Sequence, residues 1–517
     1  MAMLVKNIIE NTVEKYGELP AVKWLEKKDV FERSYADLYA NAVSVRKALS
    51  ASGYAGEHIA LIGLSSVEWI EAYLGIVTGT AVAVPLDANL PAEDLAELIN
   101  RSDSTGLFLS PKHTGMLELF LNSCPALKNV WILQESASDK TFADDRVKFL
   151  YELEAEGMDE TGDMEAPDAD STATIIYTSG TTGKSKGVML SHRNIAENVE
   201  NVRYSAEPGT VLLSVLPIHH AFCLCMDWLK GFSGGACICI NDSFLHMVRN
   251  MGIFKPDVML MVPMMIEMIY KRLASVDPST PKEAVAANVF GGRLKLIFTG
   301  GAHLDPFYID RFAEYGVEIF EGYGMSECSP VISSNNPGDF RNGSIGRPLD
   351  NAEVRIIDDE ICVRGSSVMQ GYYQMPEETA AALKDGWLHT GDKGYMDEDG
   401  FLFINGRVKN LIILSNGENI SPEELEGKLA LYPLVAEVIV TGEDNGLTAR
   451  IFPEQAVIDA KGLSEEAVKQ ELQQSIDEYN RNQPGYRRIT GLVVRKNPFK
   501  KNSTRKIKRT EVLIDEP

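Results

Sequence analysis

Positive charge is what this 517-residue chain has least of relative to its opposite: 50 Lys and Arg stand against 74 Asp and Glu, a net charge of -24. A field of that sign repels polyanions. It excludes nucleic acid and anionic membranes as main partners, and it obliges any nucleotide site to carry its own local cations. Long apolar runs are missing as well. The longest, Val258 to Tyr270, is short and holds Glu267, so no transmembrane segment is expected. The stretch from Met1 to Lys6 has no basic region leading into an apolar core, so no secretion signal is expected either. Cysteine is sparse, seven in all, and no spacing resembles a zinc site. Cys223 and Cys225, like Cys237 and Cys239, fall at the period of a strand and read as small buried apolar residues in a reducing cytoplasm. Hydrophobic residues at 44% and charged residues at 24% describe a globular, soluble protein, and the length exceeds one ordinary core.

What is present is an alternation of strand and helix. Tyr35 to Ser50 is predicted as an amphipathic helix, His58 to Gly63 as a buried strand, Val67 to Thr80 as a helix and Ala81 to Pro85 as a strand. Thr174 to Tyr177, Val211 to Leu216, Ala236 to Ile240 and Leu294 to Phe298 are further strands, with a helix over His192 to Asn201. Repeated strand–helix–strand units imply an α/β protein with mainly parallel sheets covered on both faces. The acidic stretch Glu152 to Asp170 reads as a solvated connector. From Gly343 to Asn405 strands shorten and turns multiply, with a hairpin signal at Asp397 to Gly400, so a small antiparallel barrel is expected. Beyond Gly406 two capped helices, one opening at Ser421-Pro422 and one over Ser464 to Asn480, indicate a compact α+β module.

The segment with most chemistry is Tyr177-Thr-Ser-Gly-Thr-Thr-Gly-Lys-Ser-Lys-Gly187, which follows a predicted strand. Its glycines let backbone N–H groups turn towards an anion, and its hydroxyls and lysines add donors, a combination suited to a polyphosphate. A P-loop is the obvious alternative, since Gly183-Lys-Ser185 matches its end. It requires a glycine five positions before Gly183, and Thr178 stands there. A plain flexible hairpin is the bland alternative.

This segment resembles the signature loop of the adenylate-forming superfamily, which includes acyl-CoA synthetases, luciferases and peptide-synthetase adenylation domains. Ser185 replaces the family's proline. The resemblance runs from Tyr35 to Arg509 and looks most like bacterial long- or medium-chain fatty acyl-CoA ligases. It implies a large N-terminal domain over 1–406, with α/β subdomains at 1–165 and 166–342 and a barrel-like part at 343–406. A hinge at 407–409 and a small mobile domain at 410–517 would follow.

The resemblance also implies a site. Thr178, Ser179, Gly180, Thr181, Thr182, Gly183 and Lys184 would cradle the ATP phosphates. Glu321-Gly322-Tyr323-Gly324-Met325-Ser326-Glu327 is similar to the segment whose tyrosine packs on adenine and whose glutamate holds Mg²⁺, a hard cation suited to one carboxylate plus phosphates. Gly300, Gly301 and Ala302 would border adenine and the acyl carbonyl. Asp392 would accept both ribose hydroxyls, with Ile404 nearby and Arg407 on ribose or phosphate. Lys409 falls at the hinge. Gly417 and Glu418 lie on the loop that would admit the pantetheine arm. Lys506 matches the catalytic lysine, although Arg505 stands where glycine is usual, and Lys500 and Lys501 are lesser candidates. His220, Ala221, Phe222, Cys225 and Gly324 would line the acyl pocket, with His220 as its gate. The Asp that binds an amino-acid ammonium is missing there, which disfavours amino acids. Met251, Met259, Met261, Met264, Met265 and Met268 suit an adaptable tunnel or ordinary core filling. Ten Lys or Arg between Arg487 and Arg509 form either a solvated basic face or an attractor for ATP, coenzyme A or an acyl carrier protein.

The activity so implied is condensation of a carboxylic acid with ATP to acyl-AMP and pyrophosphate, with Thr178, His220, Glu327 and Lys506 in the chemistry. Transfer to the thiol of coenzyme A follows. A carrier-protein phosphopantetheine is the alternative acceptor, and a non-catalytic nucleotide-binding protein the alternative class.

Overall fold

A computed structural model describes residues 4–134, 142–161, 165–178, 184–277, 279–413, 419–443, 446–501 and 507–512. Two large sheets carry the first two-thirds of it. In one, the strands Glu318–Gly324, Leu296–Thr299, Val258–Met261, Val211–Ser214, Cys237–Ile240 and Pro20–Glu26 lie side by side and parallel, with antiparallel strands at both edges. In the other, His58–Ile62 is flanked by Val82–Leu86 and Ser104–Leu109, and Thr172–Thr178 joins in parallel beside Val82–Leu86. The central strands are buried on both faces, as helices on each side of a parallel sheet require. Helix Val67–Val77 lies between the sheets and is buried almost all round, so its apolar residues continue past a single stripe.

The predicted elements are present with shifts of a few residues, and His192–Asn201 has the predicted bounds. Its start is fixed locally: Ser191 Oγ accepts from Asn194 N, and the Asn194 side chain returns the bond to Ser191 N.

Three expectations need correction. The connector over 152–170 is in part a helix, Leu150–Met158, with Leu153 and Glu154 buried. Glu152 caps its start by accepting from Phe149 N at 2.7 Å. Gly157 lets the helix press on Tyr35–Ala51, where a Cβ would stand 1.8 Å from Ser44 O. The acidic composition concealed an apolar stripe. Cys223 and Cys225 are not on a strand; they lie in a π-helical segment, Phe222–Lys230. Ser421 precedes the expected helix, Pro422–Leu429, without capping it. Its hydroxyl donates to Glu423 Oε2 instead, because Asn410 holds that carboxylate in reach.

Residues 352–407 form the expected antiparallel structure, in which Ala352–Ile357, Glu360–Gly365, Trp387–Met396 and Leu402–Arg407 pair in succession. Their pairing is an open path among the described residues, not a closed barrel. The hairpin at Asp397 to Gly400 is present, with Asp397 N bonded to Phe401 O. The last part packs Pro422–Leu429 and Glu465–Arg481 on the sheet of Val435–Glu443, Gly446–Pro453 and Ile489–Val494, around its own core.

Candidate active site

In a parallel sheet, functional loops gather at the carboxyl ends of the strands. Here Val211–Ser214 leads to His220, Leu296–Thr299 leads to Gly300 and Gly301, and Glu318–Gly324 leads to Glu327, all off one edge. Main chain crowds that edge. A Cβ on Gly300 would approach Gly322 O to 2.9 Å, and one on Gly324 would overlap Pro330 O. Gly301 also takes φ +81, which no β-branched residue accepts readily.

The other large sheet brings the phosphate-loop segment to the same place. Thr172–Thr178 and Lys186–Ser191, the strands that flank the loop in sequence, pair antiparallel. Ser179, Gly180, Thr181, Thr182 and Gly183 lie outside the described residues, but both legs are held. Arg101 donates to Ser185 O at 2.8 Å and lies over the Tyr177 ring. Lys186 Nζ sits 4.6 Å from the centroid of Tyr372, whose hydroxyl donates to Glu327 Oε1 at 2.8 Å. The phosphate-loop leg and the candidate metal ligand are thus joined through one tyrosine. Tyr372 hides in Gly371-Tyr372-Tyr373, a stretch with no motif of its own, and sequence reasoning passed over it.

Glu327 lies in a 3₁₀ turn, Ser326–Cys328, and is buried. With Oε1 accepting from Tyr372, it presents a mostly desolvated carboxylate, a hard oxygen ligand. That fits a hard divalent ion, which typically keeps waters and binds through one carboxylate. Burial, with Glu327 beside it, drives the Tyr372 hydroxyl far above the usual phenol range, so it remains a donor.

The small antiparallel sheet supplies the third wall. Asp392 and Arg407 are cross-strand partners, and Arg407 Nε meets Asp392 Oδ1 at 2.6 Å. Tyr323 donates its hydroxyl to Asp392 Oδ2 at 2.7 Å. Burial pulls the Arg407 guanidinium down, but the Asp392 carboxylate outweighs it and holds it above its usual value. Burial and the same carboxylate keep Tyr323 protonated. Tyr323, expected only as a ring against adenine, therefore also orients Asp392, leaving its remaining lone pairs for a diol. Glu321, placed with the nucleotide by resemblance, is buried and pushed up to about 8 by that burial, which favours its neutral form. Ile404 is 39% exposed on the strand that ends at Arg407.

At the proposed acyl pocket the His219 and His220 rings lie 4.1 Å apart, and Ala221 and Cys225 are buried. Burial pushes the Cys225 thiol up to about 12, which keeps it protonated. Asp227, in the same π-helical segment, escaped sequence reasoning. It is fully buried, accepts from Ser214 Oγ at 2.9 Å and is pushed up to about 7 by burial.

Gly417, Glu418 and Lys506 lie outside the described residues. The flanks of Lys506 are anchored: Lys501 pairs with Glu437 at 2.7 Å, and Arg509 binds Glu426 and Glu423. Arg487, Lys500 and Lys508 also meet acids, so much of the basic stretch is neutralised within its own domain.

An AMP-binding enzyme model matches residues 9–373, and an AMP-binding enzyme C-terminal domain model matches residues 409–514. The chain belongs to the AMP-binding enzyme family. Among relatives of this AMP-binding enzyme is the long-chain-fatty-acid–CoA ligase of Escherichia coli, 26% identical over 562 residues, which span 98% of this chain and 93% of the relative. A ligase of the same name from Mycobacterium tuberculosis is 28% identical over 439 residues, 76% of this chain and 72% of the relative. Among solved structures, ATP-bound MatB from Rhodopseudomonas palustris is 25% identical with a TM-score of 0.79, covering 99% of this chain and 98% of that one. The anthranilate CoA ligase AuaEII with anthranoyl-AMP has the same fold at a TM-score of 0.84, 20% identity and coverage of 99% and 96%.

Proposed function

We propose that this protein is a fatty acyl-CoA synthetase: it converts a fatty acid and ATP into acyl-AMP and pyrophosphate, then transfers the acyl group to the thiol of coenzyme A. One observation carries the reading most directly. Tyr323, on the strand that leads to Glu327, forms one hydrogen-bonded cluster with the buried Asp392 and with Arg407. That arrangement suits a ribose diol beside a metal-bound triphosphate. The names of the relatives supply the acid and acceptor.

In this mechanism the carboxylate attacks the ATP α-phosphorus and pyrophosphate departs. Charge accumulates on the phosphoryl oxygens, where Lys506 and donors of 178–184 stabilise it. Mg²⁺ held by Glu327 would offset the triphosphate charge and polarise the phosphoryl group. Asp392 and Arg407 fix the ribose. Gly300, Gly324, His220 and Ala221 frame the acyl carbonyl. In the second half, Lys506 withdraws by rotation about 407–409, and the loop with Gly417 and Glu418 guides the thiol to the anhydride carbon. The seven cysteines are all unpaired thiols, which supports a reducing cytoplasm as the place of action.

Pyrophosphate release with a panel of fatty and aromatic acids, with coenzyme A or a phosphopantetheinyl carrier protein added separately, tests the reading. Release with fatty acids and product on coenzyme A is expected. Release with no acid on the panel overturns it, and product on the carrier alone reassigns the acceptor.

A further inference from the structure

A cluster on the small antiparallel sheet takes no part in the chemistry above. Cys362 and His389 are cross-strand partners, so their side chains rise from the same face. The ladder shifts register between Glu360 and Cys362, which brings Glu360 to the same place. His389 Nδ1 lies 2.8 Å from Glu360 Oε2 and 3.5 Å from Cys362 Sγ. The three potential ligand atoms all lie within 4.8 Å of one another.

The surroundings favour a cation over a simple pair. Glu360 Oε1 accepts from Gly391 N at 2.7 Å, which fixes the carboxylate and leaves Oε2 for the cluster. Gly391 follows His389 by two positions, where the register shift and its φ of +74 interrupt the strand. It has no side chain, and a Cβ added there would meet nothing within 4 Å, so open space borders the ligands. Cys362 is buried, while Glu360 and His389 are about one-fifth exposed, which gives an ion a way in.

We propose that Glu360, Cys362 and His389 form a binding site for a soft divalent cation of the zinc class, separate from the Mg²⁺ site at Glu327. Thiolate, imidazole and carboxylate together suit zinc and not Mg²⁺ or Ca²⁺. With metal–ligand bonds of roughly 2.0 to 2.3 Å, tetrahedral ligands stand roughly 3.3 to 3.7 Å apart. The Sγ–Nδ1 separation already has that value, and Nδ1 and Oε2 need a small parting. The cation takes the Nδ1 lone pair of neutral His389, whose proton then stands on Nε2, and displaces the Cys362 thiol proton, which passes to solvent. Water takes the open fourth position beside Gly391.

The site lies on the strand that carries Asp392. The Gly391 carbonyl also accepts from Val408 N at 2.9 Å, next to Lys409. A bound cation therefore braces the peptide that ties the candidate hinge to the ribose-binding strand.

Full-length protein stripped of metal by a chelator, titrated with Co²⁺ and then Zn²⁺, provides the test. A single equivalent of Co²⁺ should give intense visible bands of tetrahedral cobalt and a near-ultraviolet thiolate-to-cobalt band, both removed by Zn²⁺. Cys362→Ser should lose the thiolate band. Glu360→Gln retains an acceptor for Gly391 N and should weaken Zn²⁺ binding at least roughly tenfold. The melting temperatures of the metal-free variants separate a lost ligand from a lost fold, and if Cys362→Ser does not fold, Glu360→Gln decides. An ordinary Glu–His pair beside a buried thiol gives the opposite result. No thiolate band in the parent protein, a band that survives in Cys362→Ser, or unchanged Zn²⁺ affinity in Glu360→Gln would falsify the site.

Discussion

The sheet edge that holds the candidate active site and the C-terminal module attached to it are built by different physics. At the edge, buried polar groups satisfy one another: Tyr372 on Glu327, and Tyr323 on Asp392. The C-terminal module meets the rest in part through side chains near water, as in Lys271 with Glu454 at 2.6 Å. The lysine is about half exposed and the glutamate about a quarter. Exposed pairs contribute about 0 to 1 kcal/mol each, whereas a hydrogen bond to a charged group contributes about 1.5 to 3 kcal/mol. Groups that define the site are held firmly, and the part expected to turn is held by contacts that exchange readily with water. The same contrast appears in the cores, since the C-terminal module packs its helices and sheet on a cluster of its own.

The comparison breaks most directly at the two ends of the proposed rotation. Lys506→Ala should lower adenylate formation, measured by pyrophosphate exchange, by roughly 100-fold or more, while thioester formation from pre-made acyl-AMP stays near the parent rate. Lys409→Pro should do the reverse by stiffening the hinge. Equal loss of both half-reactions in either variant would mean that the module does not divide the chemistry. Next in size, Tyr372→Phe removes the donor on Glu327 yet leaves a ring under Lys186. Adenylation should fall roughly tenfold or more and need more Mg²⁺. An unchanged Mg²⁺ dependence would detach Tyr372 from the site.

Asp227 probes the rigid side through pH. Burial raises its value in the folded protein to about 7, above the ordinary 3.8, so the native state binds the proton more tightly than the unfolded chain. Stability attributable to this group is greatest below about 3.8, falls as pH rises to about 7, and is level above that. Asp227→Asn, which can still accept from Ser214, should flatten the fall in melting temperature across that window. A slope identical to that of the parent would remove Asp227 as its cause. The smallest effect belongs to Lys271→Ala, about 1 kcal/mol or less in thermal unfolding. A larger loss would mean that the two parts are clamped more tightly than the exposure of this pair implies.

Much of the fold was legible before any coordinates. Strands such as His58–Ile62 are continuous apolar runs, and His192–Asn201 begins at a capping serine, so local chemistry marked them. Leu150–Met158 was obscured because its acids dominate the composition while Leu150 and Leu153 bury beneath them. The π-helical segment was misread because a Cys-x-Cys spacing does not distinguish a strand from a wound helix when both are fully buried. At the site, motif residues were legible, but their supports were not. Tyr372 and Arg101 stand 45 and 84 positions from the groups they hold.

The sequence by itself determined the alternation of strand and helix, the glycine-rich turn that is not a P-loop, and the residue types an adenylation site requires. Hydrophobic period, glycine spacing and side-chain chemistry act over a few neighbouring positions, so they survive in one dimension. Only the tertiary structure decided that Tyr323 orients Asp392, that Tyr372 joins Glu327 to the phosphate-loop leg, and that Glu360, Cys362 and His389 converge. Those are contacts between strands far apart in the chain, set by sheet order and register, and no local pattern encodes them.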